Sequence, residues 1–107
     1  MTMAWLVLIL AGLFEIGWPV GLKMAQVDST RWLGIGFAVA CMVVSGWLLW
    51  LAQKQIPLGT SYAVWTGIGA AGTFIVGVLV YDDPATLGRF IGILLIIAGV
   101  ATLKLSH

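Results

Sequence analysis

MAWLVLILAGLFEIGWPVGL, residues 3–22, is an apolar run carrying a single carboxylate, Glu15. A spanning helix needs about 20 predominantly apolar residues, which this run supplies. An ionised acid at the centre of a membrane helix costs roughly 2.5–3.5 kcal/mol on insertion scales, and such groups face a bundle interior or a water-filled cavity. The nearest cations in sequence, Lys23 and Arg31, lie near the helix end, so no pair at i,i+4 neutralises the acid. Its natural partner is a proton or a cationic substrate, which makes Glu15 the first candidate binding group.

The rest of the chain repeats the apolar pattern. Of its 107 residues 62% are hydrophobic and 8% charged, a balance that excludes a soluble domain of this size. The runs predict an all-α membrane protein with helices at about 3–25, 32–53, 59–81 and 85–104, forming one transmembrane domain over 1–107. Connections of a few residues make each helix an antiparallel neighbour of the next and leave no room for an extramembrane domain. Strands are disfavoured because the runs are continuous rather than alternating. The first run reads as a retained helix: no Lys or Arg precedes it, and the bulky Trp18-Pro19 pair stands where a signal peptide has small residues. Cys41, the lone cysteine, reads as a small packing residue. Neither a disulfide, a metal cluster, a cofactor site, an enzyme centre nor a nucleic-acid surface is expected.

Positive charge is nearly balanced between the two ends of the bundle. Lys23, Arg31 and Arg89 fall at the first and third loops, against Lys54, Lys104 and the terminal amine at the other side. Orientation follows Lys/Arg asymmetry, so this balance allows both orientations; the alternative is a weak bias set by loop details.

Four helices enclose a small cross-section, and one acid with a few polar side chains cannot line a pathway within one copy. Oligomerisation is the remedy expected. Gly88, Gly92 and Gly99 form a small-residue stripe on the fourth segment, suited either to pairing with another backbone or to packing within the monomer. On the first helix Gly12, Glu15 and Trp18 share a face, so Gly12 leaves space beside the carboxylate and Trp18 offers an aromatic wall to a cation. Trp18 also suits an interfacial anchor. Pro19 frees a carbonyl near Glu15 and can kink the helix. Ser45, the mid-span hydroxyl of the second helix, can bond its own helix's carbonyl or turn inward to hold Glu15. On the third helix Tyr62, Trp65 and Gly69 share a face. Gly67, Gly69 and Gly72 read either as a flexible point or as packing residues.

The run PLGTSYAVWTGIGA, residues 57–70, together with Glu15, resembles the small multidrug resistance family over essentially the whole chain. Glu-Ile-Gly-Trp at 15–18 and Trp65-Thr-Gly-Ile-Gly-Ala look like the guanidinium-exporter subtype. The resemblance implies an antiparallel, dual-topology homodimer in the bacterial inner membrane that exchanges guanidinium-type cations for protons at two Glu15 side chains. Some family members pair two different chains. Carried over by position, Ser45 and Trp18 would hydrogen-bond Glu15, Tyr62 would act in the pocket and gate, and Trp65 would line it. Gly12 matches the small residue beside the acid, and the fourth helix would be the main dimer contact. Pro19, Gly17 and Ser61 depart from the subtype's usual residues and put its substrate range in question. The rival readings are a broader exporter of quaternary or aromatic cations, and a non-transporting membrane partner protein.

Overall fold

The computed structural model describes residues 3–106 and contains four helices: α1 Met3–Met24, α2 Arg31–Ala52, α3 Leu58–Tyr81 and α4 Leu87–Leu105. Each is long and apolar enough to cross a membrane. Large apolar side chains such as Leu13, Val43, Leu79 and Leu94 are exposed along their outer faces, which suits lipid contact. Trp47 and Trp50 also face outward.

The ends of the helices follow local chemistry. After α1 the chain makes a 3-10 turn at Asp28–Thr30. The Thr30 hydroxyl donates to the Met24 carbonyl at 2.7 Å, and Arg31 reaches back to the Ala25 carbonyl and pairs with Asp28 at 2.7 Å. Side chains thus satisfy carbonyls that the end of α1 leaves without helical partners. Pro57 stands just before α3, where its missing N–H costs nothing. Asp82 closes α3 in the left-handed conformation (φ 57°), and the Asp83 N–H returns to the Gly77 carbonyl at 3.0 Å. α4 begins at Leu87, two residues later than the sequence suggested. Thr86 is extended and its hydroxyl accepts the Arg89 N–H at 3.3 Å, so Thr86 caps the helix and Ala85 stays outside it.

α1 packs most intimately on α2 and next on α3, while α4 leans on α3. The α1–α2 contact is a backbone approach. A Cβ on Gly34 would lie 2.5 Å from the Ala25 nitrogen and the Gly21 carbonyl oxygen, and one on Gly21 would lie 2.7 Å from the Gly34 carbonyl oxygen. Cys41 is buried against Gly17, where the missing side chain makes room for the sulfur. The apolar core of Trp5, Leu8, Ile56 and Val64 sits toward the end of the bundle that holds the second loop. α4 buries none of its residues within the chain.

Charge divides unevenly between the two ends. Asp28, Asp82 and Asp83 all lie at the end with the first and third loops, beside Lys23, Arg31 and Arg89. The opposite end holds Lys54 and Lys104; the terminal amine counted with them lies outside the described residues. All three lysines of the chain sit over aromatic rings: Lys23 over Tyr81, Lys54 over Trp50 and Lys104 over Trp5, at 5.8, 4.4 and 5.5 Å from the centroids. Such placement keeps the ammonium at the interface while its stem covers apolar surface.

Candidate functional site

Glu15 is half-buried where α1 crosses α3. Three features of α1 and α3 position it. The Trp18 indole N–H, one turn along α1, donates to Glu15 Oε1. Residue 19 is proline, so the main-chain carbonyl of Glu15 lacks the N–H that a regular helix would supply. Across the interface Gly69 leaves the space the Glu15 side chain fills: a Cβ there would meet Glu15 Cγ and stand 3.1 Å from its Cβ.

The carboxylate opens onto a recess of about 240 Å³ lined by Glu15, Pro19, Thr66, Gly69, Ala70 and Thr73. Among the described residues the one ion pair is Asp28–Arg31 in the first loop, so none of their cations is paired with Glu15. No group of three His, Cys, Asp or Glu side chains converges among those residues either. The recess therefore presents one carboxylate, two threonine hydroxyls and an apolar wall. That set suits a small cation better than a metal ion, since a planar nitrogen cation can bond the carboxylate in its plane.

The other expected site residues are distributed differently. Ser45 does not hold Glu15. It is buried, its hydroxyl donates to the Ala11 carbonyl of α1 at 2.7 Å, and it accepts the Trp65 indole N–H of α3 at 2.8 Å. Close packing of α1 on α2 aims Ser45 at the backbone one turn before Glu15 rather than at the acid. Trp65 is thereby anchored one turn from Glu15 instead of lining its recess. Tyr62 stacks on Trp65, with ring centroids 5.4 Å apart and planes tilted by 49°, and is exposed on the outer side of that pair. Gly12 does not leave space beside the acid. A Cβ there would come within 2.7 Å of Ile68 Cβ, so Gly12 is the seat for an α3 side chain.

The α3 glycines likewise serve packing. Gly67 faces Val100 and Ile96 of α4, Gly69 faces Glu15, and Gly72 faces Ile16, while α3 runs unbroken from Leu58 to Tyr81. Gly88, Gly92 and Gly99 meet nothing within 4 Å and present open small-residue surface on α4. Ser61 is buried and satisfied locally by the Leu58 carbonyl at 3.0 Å. Thr66 and Thr73, which line the recess, were not singled out from the sequence. Their signal was available: they stand seven residues apart, two turns on one face, and Thr66 follows Tyr62 by one turn.

Comparison with known proteins places this arrangement among relatives. The pattern of the family described as Small Multidrug Resistance protein matches residues 3–96. The Guanidinium exporter of Yersinia pseudotuberculosis serotype I (strain IP32953) is 46% identical over 104 residues, covering 97% of this chain and 99% of that protein. That of Citrobacter freundii is 44% identical, with 97% and 98% covered, and that of Proteus vulgaris 42%, with 97% and 99%.

Proposed function

Because the chain belongs to the Small Multidrug Resistance family, as a multi-pass membrane protein, we propose that it exports guanidinium and small substituted guanidinium cations in exchange for protons. The observation that carries this reading is Glu15 itself: a carboxylate on an apolar spanning helix, held by Trp18 in an open recess, with no cation among the described residues paired to it. The names of relatives that cover nearly the whole chain support guanidinium as the substrate. The bacterial inner membrane is where such export is useful.

The exchange follows from competition for the same oxygens. A carboxylate withdrawn from water is stabilised by a proton or by a cation, and it cannot hold both at full strength. An arriving guanidinium forms charge-assisted bonds to Glu15 and displaces the proton; a returning proton releases the cation. If the pocket opens to one side at a time, the proton gradient drives export. Two copies in antiparallel orientation bring two Glu15 side chains into one site. The open glycine face of α4 and the near balance of Lys and Arg favour that assembly, as a homodimer or with a paired family member. Trp18 orients the acid, Trp65 and Tyr62 offer aromatic surface, and Ser45 fixes Trp65.

Glu15→Gln abolishes proton-coupled guanidinium uptake into liposomes while leaving membrane insertion intact; coupled uptake at the wild-type rate would sink the proposal. Guanidinium binding weakens as pH falls, because protons occupy the same carboxylates. Affinity that is flat from acid to alkaline pH would contradict the competition. One observation favours a second reading: Pro19, a departure from the guanidinium-exporter subtype that the chain resembles, lines the Glu15 recess. That reading is export of bulkier quaternary or aromatic cations. Solid-supported-membrane currents with guanidinium, methylguanidinium and a quaternary amine separate the two.

A further inference from the structure

Toward the first and third loops the α1–α3 crevice holds a second recess, of about 160 Å³, that shares Pro19 and Thr73 with the Glu15 recess. Helical spacing accounts for the continuity. Glu15, Pro19 and Lys23 succeed one another at i, i+4 and i+8 on α1, and Thr73, Gly77 and Tyr81 do the same on α3, so both rows border one crevice. The outer recess is lined by Lys23, Thr73, Tyr81 and Asp83 as its polar and aromatic groups.

Asp83 is turned into this recess by the local fold. The left-handed Asp82 reverses the chain at the end of α3, and the Asp83 N–H bonds the Gly77 carbonyl at 3.0 Å. The carboxylate then folds back over Gly77, whose missing side chain makes the room; a Cβ there would strike Asp83 Oδ2. The Lys23 ammonium lies 5.8 Å from the centroid of the Tyr81 ring in the same recess, yet it is not within ion-pair distance of Asp83, since the one such pair among the described residues is Asp28–Arg31. A carboxylate, an aromatic face and a hydroxyl thus surround a space into which a tethered cation already reaches. These are the groups that recognise a small planar cation.

We propose that this outer recess is a staging site, where a guanidinium-type cation displaces Lys23 from Tyr81, is held by Asp83, and then passes along the Pro19–Thr73 crevice to Glu15. This rests on Glu15 being the transported cation's main site. Lys23 acts as a built-in competitor: it keeps the aromatic face occupied and raises the concentration of substrate needed to fill the recess. Asp83 draws cations to the mouth, an attraction that salt screens.

The test uses the full chain, purified and reconstituted in liposomes, with guanidinium-driven currents measured against concentration at low and at high ionic strength. Asp83→Asn and Tyr81→Leu each raise KM for guanidinium about threefold to fivefold at low salt, the range expected of partly exposed ion-pair and cation–π contacts. Lys23→Gln lowers KM, a direction that damage to the fold does not produce. In Asp83→Asn the salt dependence of KM flattens. If wild type carries guanidinium and the three variants share its KM and its salt dependence, the staging site is wrong while the Glu15 reading stands. Wild type without guanidinium current overturns both. A KM raised by Lys23→Gln as much as by Asp83→Asn also overturns the proposal, since it means loss of structure rather than of competition.

Discussion

Ser45→Ala removes the hydroxyl that donates to Ala11 at 2.7 Å and accepts from Trp65 at 2.8 Å. Hydrogen bonds between membrane helices average about 0.6 kcal/mol and reach about 1.7, so two lost bonds account for about 1–3 kcal/mol. The Trp65 N–H left without its acceptor adds a desolvation cost on the order of 1 kcal/mol. We therefore expect a total destabilisation of about 2–4 kcal/mol, from the removal of one oxygen atom. Reversible unfolding in mixed micelles, followed by tryptophan fluorescence and circular dichroism, measures it. Ser61→Ala is the matched control. Ser61 is as deeply buried as Ser45, with exposures of 0% and 1%, but bonds only within its own helix, so its loss costs less than about 0.5 kcal/mol. A double-mutant cycle of Ser45→Ala with Trp65→Phe isolates the bond between α2 and α3. Equal effects of the two serine substitutions, together with an additive cycle, would refute the reasoning.

Three further outcomes follow from the packing. Gly69→Ala forces Glu15 away from α3 and off the Trp18 indole, and the loss of one charge-assisted bond weakens guanidinium binding about tenfold or more; calorimetry showing unchanged affinity would mean that the α3 contact does not place the acid. Gly34→Ala drives a methyl into the backbone of α1 and costs at least about 1–3 kcal/mol in the same micelle assay, whereas Gly36→Ala, with open space around it, gains up to about 1 kcal/mol. A reversed order would discredit the α1–α2 contact. Gly92→Ala places its methyl in open space, so it leaves monomer stability alone while lowering the fraction of the proposed dimer read by energy transfer between labelled copies; an undiminished dimer would remove α4 as the subunit contact.

The sequence made the four spans legible because a continuous apolar run of this length has one economical arrangement in lipid, a helix with its backbone bonds closed internally. Spacing also put Trp18 on the face of Glu15, and the family resemblance implied the bond between them, which lies within one helical turn. What it did not resolve depends on the rotation of one helix against another. A lone hydroxyl such as Ser45 can bond its own helix, the acid or a neighbouring backbone, and the Gly21–Gly34 approach is what decides. Gly12 reads in the sequence as space beside the carboxylate because a missing side chain has no label saying what fills it; Ile68 fills it. Thr66 and Thr73 were passed over for a related reason, as hydroxyls in an apolar helix are most often satisfied by the preceding turn.

The two kinds of polar contact in this bundle have different kinematics. The Glu15–Trp18 bond begins and ends on α1, so a tilt of that helix carries the pair as a unit and conserves its geometry. Ser45 is a pin through three separate rods, since its oxygen engages α1 and α3 from α2. Rotation about that pin preserves both bonds, while sliding of any rod past it breaks one. Among α1, α2 and α3, a swivel with its fulcrum one turn from the carboxylate keeps both bonds, and α4 lies off the pin.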